Sequence, residues 1–374
     1  MDICTANNQF AADVLRAVGN EIVADNVVLS SLSILTAIAM VHLGARENTA
    51  AQIEEVLHFS DFGNVHPKCK DLLNELNQNG RDYTLISMSK LFGEKTYQFL
   101  PSYLEATNVS YGAALEEVDF SNDPEGSRQH INEWVKRETK GKIEELLPKS
   151  SVTSNTALVV ANTLYFLANW TKQFNERHTY KTPFKLVSNE EVMVDMMLIR
   201  NTFNMLYASN PGMSVIELPY GPSQDLSMII LLPDNNTALQ QLDQQISYEN
   251  LAKWTSRAQM KSRNVAVHLP RFRIEKEFSL RNIMSSLGMP DAFNPTLANF
   301  SGMTDHDNLY VSNIYHKTFL EVNEKGTEAA SAAAPVMAMR SLFSDEFKAN
   351  RPFHFLIKHN KTNCMLLYGK LYKP

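Results

Sequence analysis

Cysteine is scarce: the 374 residues hold three, Cys4, Cys69 and Cys364, odd in number and far apart. Such spacing supports neither a disulfide framework nor a thiolate metal cluster. Free thiols are expected, with a single Cys4–Cys69 bridge as the alternative. No apolar run reaches the length a bilayer crossing needs. The best candidate, around Ile34–Leu43, is interrupted by Thr36 and His42 and reads as a core helix. A basic excess is missing too. With 35 Lys and Arg against 41 Asp and Glu the net charge is −6, which argues against nucleic acid as a partner. No secretory leader precedes the first helical pattern, and Met1 fits a natural start as well as one that follows a trimmed leader.

The usual catalytic signatures are absent. There is no GxSxG nucleophile elbow, no HExxH zinc helix, no phosphate-cradling P-loop and no GxGxxG after a strand. Those chemistries need their residue types at fixed spacing, whereas the histidines here are dispersed and none pairs with Cys or Asp at ligand-like spacing. Neither an enzyme, nor a metal, nor a cofactor is expected. Repeats, low-complexity tracts and Pro/Gly/Ser linkers are also lacking, so one domain over 1–374 is expected. A chain of this length buries a sizeable core without disulfide staples.

What is present is periodic. Phe10, Val14, Leu15 and Val18 share one helix face, which Gly19 ends. An extended Asn26–Leu29 leads into a helix over Ser33–Leu43, and an amphipathic segment opening at Ile131–Val135 runs to Gly141. Ala157–Phe166 is almost continuously apolar, as a strand buried on both faces would be. Beyond residue 180 strand patterns dominate: Met213–Leu218, Leu226–Leu232, Val265–Leu269, Thr318–Val322 and Phe353–Lys358. Helices first and strands later, without strict alternation, predict an α+β fold on large sheets.

One segment fits neither period. From Glu324 to Pro335 the chain reads EKGTEAASAAAP, continuing VMAMRS to Ser341. Alanine favours helix, but the segment has no apolar stripe with which to dock one. It reads as an exposed loop whose side chains are small enough to slide between strands.

Here the sequence resembles the serpin family of serine protease inhibitors. Residues 315–330, YHKTFLEVNEKGTEAA, resemble the serpin strand and hinge before the reactive-centre loop. Asn26–Gly44, NVVLSSLSILTAIAMVHLG, resembles the early strand–helix motif, although Ser31 stands where proline is usual. INEWV from Ile131 with TKGKI from Thr139 resembles the helix across the main sheet, and ANTLYF from Ala161 with Trp170 a central strand of it. LPRF from Leu269, NFSGM from Asn299 and RPF from Arg351 complete the set in family order. NLYVS from Asn308 is similar to secreted arthropod serpins, and FHFLIKHNKTN from Phe353 to the intracellular, ovalbumin-like branch.

The resemblance implies a serpin fold of three β-sheets with eight or nine α-helices, an exposed reactive-centre loop at about 324–351 and a metastable native state. It implies a suicide-substrate inhibitor, serpin loop insertion being a familiar example of a strand added from stored strain. Arg340 stands sixteen residues after Glu324, the serpin spacing for the bait residue, with Ser341 after the bond. An arginine there selects proteases with a carboxylate in the specificity pocket: trypsin, coagulation, plasmin-like or tryptase-like enzymes. The hinge comprises Glu324, Gly326, Thr327, Ala329, Ala330 and Ser331, with Thr327 the first side chain to turn inward. Pro335 removes one ladder hydrogen bond, at a cost of about 1 kcal/mol.

Ser30, Ser33, Asn162 and His316 match the family's shutter, and Trp170 and Arg271 its breach, where an Arg271–Glu324 ion pair is expected. Asn108, Asn169, Asn235, Asn299 and Asn360 are glycosylation candidates by their Asn-x-Ser/Thr pattern. A secreted monomer is expected, with a cytoplasmic one as the alternative. The mixed charges of Lys68–Glu75 speak against a heparin site, and Lys136, Arg137, Lys140 and Lys142 read as a solvated helix face. The competing function is a non-inhibitory serpin: a carrier, chaperone or storage protein.

Overall fold

Phe10, Val14, Leu15 and Val18 are all buried, and the helix they form, α1 (Ile3–Glu21), runs two residues past Gly19. A computed structural model describes residues 2–21, 24–76, 83–113, 115–327 and 345–374. After α1 come β1 (Val27–Leu29), α2 (Ser31–Gly44), α3 (Glu47–Val56), α4 (His66–Leu76) and β2 (Tyr83–Glu94). Next are α5 (Pro101–Tyr111), β3 (Glu116–Val118), α6 (Pro124–Glu138), β4 (Leu158–Asn169), β5 (Tyr180–Lys185) and β6 (Glu191–Ser209). Then follow β7 (Gly212–Tyr220), β8 (Leu226–Pro233), α7 (Asn236–Gln244), α8 (Tyr248–Trp254), β9 (Lys261–Pro270) and β10 (Phe272–Ser279). The last are α9 (Arg281–Leu287), β11 (Val311–Val322), β12 (Gly326–Thr327), β13 (Asp345–Lys348), β14 (Phe353–His359) and β15 (Met365–Leu371).

The fold is α+β. Every residue of α2 from Ser31 to Val41 is buried, because the helix is enclosed rather than laid on a surface. Its apolar sequence therefore shows no polar face. Ser30 caps it, accepting from Ser33 N at 3.2 Å.

Two strand networks form among the described residues, where the family pattern implied three sheets. One has nine strands, in the order β1-β15-β14-β8-β7-β6-β9-β13 with β5 also on β6. The 19-residue β6 pairs with β5 and β7 at its two ends and with β9 between, fusing what would otherwise be two sheets.

The other has the order β10-β11-β12-β4-β2-β3. At its centre β11 and β4 run parallel, from Val311 opposite Leu158 to Phe319 opposite Tyr165. Above that seam the two strands diverge, and β12 lies between them. α6 packs over the sheet face through Ile131, Trp134 and Val135, against Phe92, Tyr165, Tyr315 and Phe319.

All three cysteines are free and buried, so the Cys4–Cys69 alternative is corrected. Cys69 lies on α4, where burial pushes its thiol up to about 12 against a hydrogen bond from Tyr111.

Candidate functional site

The upper end of the seam is built around a tight reversal of chain. Asn323 N donates to Gly326 O at 2.8 Å, and Asn323 Oδ1 accepts from Lys325 N at 3.0 Å. Gly326 takes φ +155°, and a Cβ there would lie 2.0 Å from Ala168 O, so only glycine fits against β4. Thr327 then pairs with Ala168 on one side and Val322 on the other, antiparallel to both strands. Its side chain is fully buried and its hydroxyl meets the Tyr220 hydroxyl at 2.9 Å.

Tyr220 in turn stacks on Trp170, with ring centroids 4.5 Å apart and planes within 11°. Trp170 reaches back to the reversal, Nε1 donating to Asn323 O at 2.9 Å and the backbone N–H to Lys325 O at 2.8 Å. Glu324 is buried beside it. Arg271 Nη2 donates to Glu324 Oε1 at 2.7 Å, and the Thr179 hydroxyl to the same oxygen at 2.5 Å. Burial alone would raise the Glu324 carboxyl, but the Arg271 and Thr179 hydrogen bonds outweigh it and hold the group below the usual carboxylate range.

Midway down the sheet lies a second polar cluster, fully enclosed. His316 on β11 accepts at Nε2 from Ser30 N, 3.1 Å away, and its Nδ1 meets Asn162 Oδ1 on β4. Asn162 Nδ2 donates to Ser33 Oγ and to Ser89 Oγ, each at 2.6 Å. Ser30 Oγ donates to Leu366 O at 2.6 Å on β15. Because a backbone N–H only donates, Nε2 carries the lone pair and Nδ1 the proton. The imidazole is neutral, and burial pushes it down to about 3. This network spans both strands of the seam and the cap of α2.

The structure thus brings together Ser30, Ser33, Asn162 and His316 in one place, and Trp170, Arg271, Glu324, Gly326 and Thr327 in another. Ala329, Ala330, Ser331, Arg340 and Ser341 lie outside the described residues, within 328–344. Among the glycosylation candidates Asn108, Asn169 and Asn235 are exposed, and Asn299 is half-buried with Nδ2 donating to Glu47. Asn360 is half-buried, its Nδ2 donating to Gln224 O at 2.6 Å and to Ser227 Oγ at 2.9 Å.

Sequence reading passed over Tyr220, Thr179, Ser89 and Thr318. Thr318, whose hydroxyl is 2.8 Å from His316 Nε2, sits two residues along the same strand, so period-two spacing could have found it. Tyr220 and Thr179 are 107 and 145 residues from their partners and leave no local signal.

Residues 5–374 match the family model described as Serpin (serine protease inhibitor). The chain is 42% identical to serpin B6 of Macaca fascicularis, over the full length of both. It is 41% identical to the leukocyte elastase inhibitor of Equus caballus, covering 100% of this chain and 99% of that one. The solved structure of uncleaved ovalbumin is similar with a TM-score of 0.91 at 34% identity, each chain covered in full. Nothing in these relatives supports the secreted, glycosylated protein expected from sequence.

Proposed function

The chain belongs to the serpin family, and from that premise we propose that it inhibits trypsin-like serine proteases as a suicide substrate cleaved at Arg340–Ser341. The observation that carries this reading is the position of β12: the hinge residues Gly326 and Thr327 already lie between β4 and β11, antiparallel to both, at the mouth of the seam. Residues 328–344 continue directly from that point.

The protease serine adds to the Arg340 carbonyl, the bond to Ser341 N breaks, and an acyl-enzyme forms. Freed at that bond, the segment after Thr327 extends β12 down the seam, carrying the acylated protease with it. Inhibition is then a contest between this movement and deacylation by water. Ala329 and Ser331 alternate with Thr327 and are small enough for the inward positions. The shutter around His316 and the Arg271–Glu324 pair are proposed to hold the seam closed until then, and to regulate how readily it opens.

The relative named leukocyte elastase inhibitor points to a protease of another specificity, and Arg340 is what favours a trypsin-like target here. The serpin B relatives favour the cytoplasmic alternative over secretion. No cofactor is invoked.

Trypsin mixed with the protein should yield an adduct stable in denaturing gels, with mass spectrometry placing the cut after Arg340. Arg340→Ala should lose that adduct. Complete cleavage without any adduct would instead assign the chain to the non-inhibitory serpins, with a carrier, chaperone or storage role.

A further inference from the structure

Two small polar side chains on β2 leave space beneath the helices that cover it. Ile86 and Met88 pack with the cluster under α6. Ser87 and Ser89 alternate with them and so turn to the other face, towards α2, α4 and α5. The end of α5 is small there too, with Ser110 in its last turn and Gly112 as its left-handed cap. Where these residues meet, a cavity of about 280 Å³ remains, rimmed by exposed residues of α4 and α5.

The lining is one-sided in charge. Lys70, Leu73 and Asn74 share one face of α4, at spacings of three and four residues. Lys70 is the one charged side chain among the described lining residues, and no carboxylate or other partner meets it among the described residues. The side-chain amides of Asn74 and Asn108 are likewise without a partner there. Met40 and Leu73 supply apolar surface, and Val109 at the rim is 55% exposed. Polar groups that converge on a small space with an apolar wall have the form of a ligand site.

We propose that this cavity binds a small organic anion, a short-chain carboxylate, with its charge at Lys70 and its tail against Met40, Leu73 and Val109. With no acidic side chain in the described lining, a cation would find no counter-charge. The orientation follows from α5. Its C-terminal end lies at the cavity, and the carbonyl end of a helix disfavours an anion beside its last turn. The carboxylate therefore belongs on the α4 side and the tail on the α5 side. The volume suits a small molecule and is too little for a peptide.

An occupant would lie one hydrogen bond from the shutter. Ser87 Oγ donates to Ser33 Oγ at 3.0 Å, and Ser89 Oγ accepts from Asn162 Nδ2 at 2.6 Å. Binding braces β2 against α2 and stabilises the folded chain by mass action, because the unfolded chain has no cavity to offer. Neither the site nor this stabilisation rests on protease inhibition.

The test titrates the unglycosylated full chain with sodium hexanoate at constant ionic strength, by calorimetry and by the thermal midpoint. Hexanoate should bind saturably and raise the midpoint. Acetate has the charge without the tail, hexanol the tail without the charge, and hexylamine the opposite charge; each should bind far more weakly. Lys70→Gln should weaken hexanoate about fivefold, which corresponds to about 1 kcal/mol for a solvent-open ion pair. Ser110→Phe should fill the space and abolish binding, and Lys70→Gln, at an exposed position, keeps the test open should the Phe variant not fold. No saturable binding of hexanoate, equal affinity for any of the three comparison compounds, or unchanged affinity in Lys70→Gln would each overturn the proposal.

Discussion

His316 concentrates at one residue a dependence on protonation that most of the chain spreads over its surface. Its Nε2 accepts from Ser30 N and its Nδ1 donates to Asn162, and no charged group among the described residues faces it. A proton on Nε2 would turn that acceptor into a donor pointed at another donor. The folded value of about 3 lies below the ordinary 6.5, so the unfolded chain binds the extra proton throughout that window. Stability from this group is therefore full above pH 6.5 and drains as pH falls towards 3. Between pH 7 and pH 5 the loss is about 2 kcal/mol. His316→Gln keeps a donor and an acceptor without a titrating ring, so urea midpoints for the variant should fall less over that interval than those of the parent. Equal slopes would remove His316 as the cause. His66, whose ring burial pushes down to about 4, titrates in both proteins and cancels in the difference. Glu324, held low by Arg271 and Thr179 against burial, adds a separate loss only once pH falls below its ordinary 4.5.

At the scale of elements, β12 is two residues long, and in the proposed mechanism it sets where the inserting strand begins. Thr327→Arg would place a guanidinium against Tyr220 and between β4 and β11, where no carboxylate is within the described contacts of Thr327. Burying that charge unpaired costs several kcal/mol, so the hinge would leave the sheet and insertion would slow. The bond after Arg340 is untouched. The expected outcome is a protein still cut by trypsin at Arg340–Ser341 that no longer holds the protease in a denaturing gel. Full trapping by the variant would exclude hinge insertion as the mechanism. Thr327→Val is the milder comparison, leaving only the Tyr220 hydroxyl without its partner, at about 1–3 kcal/mol. Elements announced by local pattern were legible in sequence: the apolar run became β4, and the capped apolar stretch after Ser30 became α2. β2 went unread because most of its residues are half-buried, which blurs alternation. β12 could be placed only through family likeness, since apart from Val322 its partners, Ala168 and Tyr220, are far away in the chain.

For the molecule as a whole, the central seam is the feature that local sequence cannot show and that the proposed mechanism depends on. β11 and β4 are parallel neighbours, while β12 is antiparallel to both. A strand extended from β12 would replace one parallel ladder with two antiparallel ones, and parallel pairing is the weaker of the two per residue. Bonds from β11 to the segment that links α6 to β4 oppose this. Lys317 Nζ on β11 donates to Glu145 O at 2.6 Å, and the Tyr315 hydroxyl to Ser151 O at 2.9 Å. Asn132 of α6 accepts from Leu146 N and Leu147 N, tying the same connecting segment to the helix above the sheet. Opening would therefore break a definite set of bonds before any new ladder formed, which in the proposed mechanism puts insertion behind a barrier. Cutting the chain within 328–344 removes the tether to β13 and should let the ladder form without a protease attached. The thermal midpoint measured after such a nick should rise sharply over that of the intact protein, with the rise due to added backbone pairing rather than to any new core. A midpoint that stays where it was would mean that the strand does not add. Pro335, which lacks the N–H a central strand needs, would then be the first residue to replace.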